Sequence, residues 1–285
     1  MAIKRSTLAG SWYPAEPETL RRLVEDLLAA AAVAADGPWV AAVVPHAGYQ
    51  YSGAVAAAAY RQLQGQAWRR AVILAPSHRS DHRGFAVLDA DAFATPLGLV
   101  AIDRETVHLA GHPLVRIDPA PFRGEHSLEI QLPFLQCVLP DVPVVPLLAG
   151  RLEGDDDVSA RELLGRLADE DTVFLVSSDF THFGRRFGYV PFEPIDAADA
   201  LRLIGDLDRG AIEPALHCDP DAFRRHLERT GDTVCGQVPI QAFLSWARGR
   251  LSGTLLDYRT SIDVTGDYEH CVSYAALGYR RAAAA

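Results

Sequence analysis

Three histidines and a cysteine occupy positions in this chain that suit chemistry better than packing. His46 follows the apolar run Val40–Val44, His78 follows Ala71–Ala75, and His182 follows Val173–Val176 after Ser177, Ser178 and Asp179. Each run is short, continuous and apolar, the mark of a strand buried on both faces, as parallel strands are. Side chains just past the carboxyl ends of neighbouring strands converge on one crevice in an open α/β sheet, so the three histidines are expected at one site. A neutral imidazole offers one lone pair and titrates near neutrality, which suits a metal ligand or a general base. Cys235 precedes Gly236 at the start of a predicted helix, where a thiolate gains from the helix N-terminus and could serve as ligand or nucleophile. Cys137, Cys218 and Cys271 lie in undistinguished contexts and are read as small buried hydrophobes.

Asp179 and His182 are three residues apart, so on a helical turn they would share a face. Either both bind a metal, or Asp179 orients a His182 that works as acid or base, or Asp179 caps a helix after the strand. Glu125 and His126 form a polar pair ahead of an apolar helix, as site residues or as caps. Tyr49 and Tyr51 share a loop with His46 and either line the pocket or pack. His82, His108, His112, His217, His226 and His270 lack strand-end placement and are read as surface or core residues.

The elements that must position these groups alternate along the chain. A helix is expected over Glu18–Ala35, where Leu20, Leu23, Val24, Leu27 and Leu28 fall at helical spacing. After the loop Pro45–Gly53 the alanine-rich Ala54–Leu63 should be helical. Phe85–Leu88 and Leu97–Ile102 read as strands around a turn at Thr95, Pro96 and Gly98, and Asp103–Ala110 as a short helix capped by Asp103. Glu125–Leu139 is mostly helical in pattern. Val142–Leu148 is strand-like, but its two prolines push it towards a sheet edge or an irregular end. Further helices are expected over Ser159–Ala168, Ile195–Gly210 and Pro220–Thr230, with closing strands over Leu251–Thr260 and Cys271–Tyr279. The fold class is α/β, a layered sandwich with a central mixed, largely parallel sheet flanked by helices, in a single domain over residues 1–285.

Composition narrows the function classes. A net charge of -10 and a pI near 5.4 argue against nucleic-acid or anionic-membrane partners, which need a basic surface. No run approaches a membrane span and the N-terminus lacks an apolar signal core. With four scattered cysteines and no CxxC, a cytoplasmic protein with reduced thiols is expected.

Seven blocks taken together resemble one family: AGSWYP (9–14), PHAGYQYSG (45–53), PSHR (76–79), EHSLEIQLPFL (125–135), SSDFTHFG (177–184), CGQVPI (235–240) and VSYAALGY (272–279). They run in order over nearly the whole chain and resemble the Memo family, which includes protein B of the AmmeMemoRadiSam system. The resemblance implies a fold like that of the class III extradiol (LigB-like) dioxygenases, non-haem iron enzymes that open catechol rings. It implies that His46, His78 and Cys235 hold one metal ion, and that Asp179 and His182 are the remaining polar groups of the pocket, with His182 as acid/base. The dioxygenases use a carboxylate where this chain has Cys235; thiolate is a softer donor, so copper stands beside Fe(II), with zinc after them. Two functions follow from the resemblance. One is metal-dependent, dioxygenase-like redox chemistry on a small substrate; the other is a non-catalytic component that binds a peptide or partner, with radical-SAM and AMMECR1-like proteins as partners. A weaker third is metal-assisted hydrolysis.

Overall fold

Strands and helices alternate along the chain in a computed structural model that describes residues 1–35 and 37–282. The strands are β1 (Ile3–Lys4), β2 (Trp39–Val44), β3 (Arg70–Pro76), β4 (Phe85–Val87), β5 (Ala92–Thr95), β6 (Gly98–Ala101), β7 (Val115–Ile117), β8 (Val144–Ala149), β9 (Thr172–Ser177), β10 (His182–Phe183), β11 (Leu251–Thr260) and β12 (Cys271–Arg281). The helices are α1 (Pro17–Ala30), α2 (Tyr49–Leu63), α3 (Glu105–His108), α4 (Leu132–Val138), α5 (Asp156–Leu167), α6 (Ala197–Leu216), α7 (Pro220–Thr230), α8 (Gln237–Ala247) and α9 (Ile262–Thr265).

Nine strands form one mixed sheet in the order β10-β12-β2-β9-β3-β8-β4-β7, with β11 paired to β12. Its centre, β2-β9-β3-β8, is parallel throughout, and the pairs of β12 with β2 and of β4 with β8 are antiparallel. β9 slots between β2 and β3, so the three strands that end in Val44, Pro76 and Ser177 open on the same edge of the sheet. A small separate sheet, β1-β5-β6, lies apart.

The period-two alternation of strands divides the core into two layers. Ala71, Ile73 and Ala75 of β3 and Val173 and Leu175 of β9 join one cluster, with Leu20 and Val24 of α1, Ala57 of α2 and Phe134 of α4. Val72, Leu74, Phe174 and Val176 face the other, with Leu163 of α5, Phe223 of α7 and Phe243 of α8. Both faces of β2, β3, β8 and β9 are covered, which is why these runs are apolar without interruption. Each fully buried Leu, Val or Phe contributes about 1.5–3 kcal/mol, so the strand ends that carry the histidines rest on the most rigid part of the molecule.

Three expectations are corrected. β8 is an interior strand despite Pro143 and Pro146, because only odd-numbered residues bond to β3: Ala71 N–H donates to Pro143 O and Ser77 N–H to Ala149 O. Pro146 therefore turns its missing N–H to the other side, where β4 reaches only Leu148 and Ala149 and Ile102 bridges Val144. α2 begins at Tyr49, five residues earlier than the alanine run suggests. No helix follows β9; residues 179–181 are irregular and His182 opens the short strand β10, paired with β12. Among the described residues no helix is long and apolar enough to cross a membrane.

Candidate functional site

His46, His78 and Asp179 each stand one to two residues beyond a central parallel strand, and Cys235 is brought to them by the turn before α8. One donor atom from each of His46, His78 and Cys235 lies within 4.8 Å of the others. A second grouping, His78, Glu125 and His126, meets the same criterion and shares His78.

Hydrogen-bond counting fixes the tautomers of the two ligand-type histidines. Ser177 Oγ spends its only proton on Ser127 O (2.5 Å) and receives Gln131 Nε2–H (2.9 Å), so the remaining contact, His46 Nδ1 at 3.0 Å, must be a donor. His46 is then protonated on Nδ1, and its Nε2 lone pair points at Cys235 Sγ, 3.0 Å away. His78 is held the same way. Its backbone N–H and its Nδ1 both meet the Glu125 carboxylate, at 2.6 and 3.0 Å, and an ionised carboxylate only accepts, which leaves His78 Nε2 free. Burial would raise the Glu125 carboxyl, but His78 as donor and as charge, and the Ser127 N–H, hold it down at about 2. A carboxylate behind a histidine in this way orients the ring and raises its basicity as a ligand.

The surroundings keep the His46 imidazole and the Cys235 thiol uncharged. His46 lies well below its ordinary value, first through burial and then through the neighbouring rings of His126, His78 and His182. His126 falls to about 4 by burial and the charge of His78; its ring stacks on His78 at 4.6 Å and meets Trp12 at 4.5 Å. Against the expectation of a stabilised thiolate, burial and then the Asp179 carboxylate push Cys235 well above its usual value; a cation at Sγ would reverse that balance. Two imidazoles and a thiol closed around one point fit a transition-metal ion, which takes up deprotonated sulfur and neutral nitrogen.

Asp179 and His182 do not pair as the three-residue spacing suggested. Asp179 Oδ1 accepts the His46 N–H (2.7 Å), and its own N–H donates to Cys235 Sγ (3.2 Å). Burial raises the Asp179 carboxyl to about 6, opposed by the charge of His182. His182 Nδ1 lies 3.0 Å from Phe180 O and 3.2 Å from Thr233 O. Carbonyls only accept, so Nδ1 carries a proton, and in the neutral ring the basic lone pair is on Nε2.

A cleft of about 570 Å³ joins His46, His78, His126, Asp179 and His182, walled by Trp12, Tyr51, Phe187 and Tyr274. A smaller one of about 450 Å³ reaches His78 and Cys235 from the side of Arg79 and Arg151. Tyr51 lines the cleft, but Tyr49 does not: it is buried, and its hydroxyl donates to Ile130 O. Because α2 already begins at Tyr49, two residues of helix separate the pair by about 200°. Glu125 likewise sits behind His78 and outside the cleft lining. Trp12 and Arg186 line the cleft without having been singled out as site residues from sequence, and His270, read there as a surface or core residue, lines it as well.

Gly236 lets the cysteine turn lie against the end of β9, since a Cβ there would sit 2.3 Å from Ser178 Cβ. Gly236→Ala is expected to cost about 2 kcal/mol of stability through overpacking, read by urea denaturation, and to shift Cys235 away from His46.

The family model described as Memo-like protein matches residues 4–278. The chain belongs to the Memo family. A MEMO1 family protein of Methanopyrus kandleri is 36% identical over 96% of this chain and 98% of its own length. Protein MEMO1 of the zebrafish Danio rerio is 32% identical over 97% of both chains. A MEMO1 family protein of Methanococcoides burtonii is 34% identical, covering 96% of this chain and 99% of its own. Memo membership over nearly the full length agrees with the order of the seven blocks.

Proposed function

We propose that this protein binds one transition-metal ion, Fe(II) or copper ahead of zinc, through His46 Nε2, His78 Nε2 and Cys235 Sγ, and carries out redox chemistry on a small substrate. The supporting observation is the hydrogen bonding behind the ligands: Ser177 and Glu125 each take the Nδ1 proton of a histidine and so leave both Nε2 lone pairs available near one sulfur. When bound, iron or copper supplies a redox-active Lewis acid. The protein's own part is positional and protic. Trp12, Tyr51 and Tyr274 wall a cleft that takes a planar ring, Asp179 holds the His46 loop, and His182 Nε2 accepts or returns a proton on the cleft side.

Purification without oxygen is expected to retain close to one equivalent of iron or copper. His182→Ala should keep that metal while losing oxygen uptake in the presence of catechols, because its ring is not among the ligands. Failure to take up metal under any loading condition contradicts the proposal.

A second reading, a non-catalytic component that binds a peptide or a radical-SAM or AMMECR1-like partner in the cytoplasm, is favoured by apolar side chains beside the cleft. Phe187 lines it at 38% exposure, and Val190 and Ile195 nearby in sequence are 44% and 83% exposed. Stoichiometric metal with no oxygen uptake towards small molecules, together with retention on an immobilised partner, selects this reading.

A further inference from the structure

Behind the site, three sequence-distant residues form a cluster with too few protons. Asp208 in the middle of α6, Asp232 in the turn before α8 and Thr181 beside His182 are all buried. Thr181 Oγ1 lies 2.7 Å from Asp208 Oδ1 and 2.8 Å from Asp232 Oδ1. A hydroxyl has one proton and cannot donate to both. The other donors are already assigned: Thr181 N–H, the Tyr258 hydroxyl and the Ser273 hydroxyl serve Asp208, the first two at 3.1 and 2.5 Å, and Thr233 N–H serves Asp232 at 2.7 Å.

Among the described residues no cation neutralises the pair. Arg229 reaches only His226 Nδ1 (3.2 Å), and that contact makes Nδ1 an acceptor and places the His226 proton on Nε2. His226 Nε2 then faces Asp232 Oδ2 at 3.7 Å, beyond hydrogen-bond reach, and both atoms lack a partner. The other titratable groups around the pair are Tyr258 of β11, Cys271 of β12 and Tyr189 of the connection before α6. All three are pushed up by burial first and are neutral donors at most. Two bare carboxylates in this setting are far costlier than one carboxylate and one acid.

We propose that Asp208 and Asp232 share a single proton through Thr181 Oγ1, and that this proton-bridged pair is a positioning device for His182 and Cys235. The bridge ties residue 181, next to His182, to residue 232, three before Cys235. Thr233 continues it: its Oγ1 accepts the His182 N–H at 2.8 Å and its carbonyl accepts His182 Nδ1–H at 3.2 Å. Loss of the proton places two like charges across the joint between the two loops that build the cleft. The inference stands whether or not the site binds metal.

Burial and then the charge of Asp232 raise the Asp208 carboxyl to about 6. A carboxyl raised above its unfolded value of about 3.9 stabilises the fold most at low pH and loses that contribution as pH rises through the folded value. The melting temperature of the wild type is therefore expected to fall by several degrees between about pH 4 and pH 7, and Asp232→Asn and Asp208→Asn, each leaving one carboxylate, to flatten that slope. Infrared spectroscopy reads the proton directly. A protonated-carboxyl band is present at about pH 5.5 and lost towards pH 8 in the wild type, and the intensity lost is expected to be smaller by about one carboxyl in both Asn variants, where the raised carboxyl of Asp179 supplies what remains. As a readout that a merely structural role would not move, the pH profile of the His182 ring resonances should differ between the wild type and Asp232→Asn, since only the wild type carries the charge change of the pair behind the ring. A wild-type loss of carboxyl intensity no larger than that of either variant, or a His182 response unchanged in Asp232→Asn, overturns the proposal. Should one Asn variant fail to fold, the other gives the same comparison.

Discussion

His46→Ala should leave the protein unable to retain a metal ion, with affinity lowered by more than about 100-fold, beyond the 10–100-fold typical of changes behind the ligands. His46 is the most enclosed of the three donors, at 2% exposure, and its ring is fixed from three sides. Ser177 holds Nδ1, Asp179 holds the backbone N–H, and Nε2 meets Cys235 Sγ. Alanine keeps the backbone bond to Asp179, so the fold should survive while the site loses a donor that water cannot replace in kind. Glu125→Gln grades the effect. Its amide can accept from His78 or from the N–H groups of His126 and Ser127, but its NH₂ then faces a donor. A loss of roughly 10–100-fold is expected there, measured by competition with a chromophoric chelator. An affinity unchanged in both variants would place the metal elsewhere.

Glu129→Ala should destabilise the protein by about 3 kcal/mol and free the N-terminal segment, the largest stability effect expected of a residue outside the ligands. The Glu129 carboxylate is 4% exposed and organises residues 6–13 almost alone. It accepts from Ser6 Oγ (2.7 Å), Thr7 N–H (2.9 Å), Thr7 Oγ1 (2.9 Å), Leu8 N–H (3.0 Å) and the Tyr13 hydroxyl (3.0 Å). Without it several enclosed donors have no acceptor, at roughly 1–3 kcal/mol for each that water cannot reach. The same segment delivers Trp12 to His126, so cleavage within residues 6–13 by a protease should accelerate together with loss of the cleft wall. Unchanged urea stability and protease resistance would show that the remaining ties, the bond from Tyr49 N–H to Trp12 O and the packing of Trp12 on His126 and Tyr13 on Tyr49, suffice.

How much of this was legible in the sequence depended on distance along the chain. The strand-end histidines were readable because burial and chemistry meet within one or two residues, a local pattern that the parallel centre of the sheet then brings together. Cys235 was readable from its place before a helix, but the state of its thiol was not, because the neighbour that opposes ionisation, Asp179, lies on another element. Tyr49 was misplaced for want of a helix boundary: the loop signal of Gly48 and Gly53 hid that the helix had already begun. The pairing of Asp179 with His182 was inferred from a helical period that the backbone does not adopt after β9. Pro146 argued for an edge strand, and only the register against β3 shows which side its missing N–H faces. The proton-poor cluster of Thr181, Asp208 and Asp232 gives no local signal, since each residue alone reads as an ordinary polar side chain.

Titration with Co(II) under anaerobic conditions tests the metal centre most directly, because a thiolate ligand to cobalt produces an intense near-ultraviolet charge-transfer band that histidine and carboxylate ligands do not. The wild type should develop this band to saturation at one equivalent, and Cys235→Ser should show none while His46→Ala shows it only weakly. A wild type without the band, or a band that survives in Cys235→Ser, would contradict a site built from His46, His78 and Cys235.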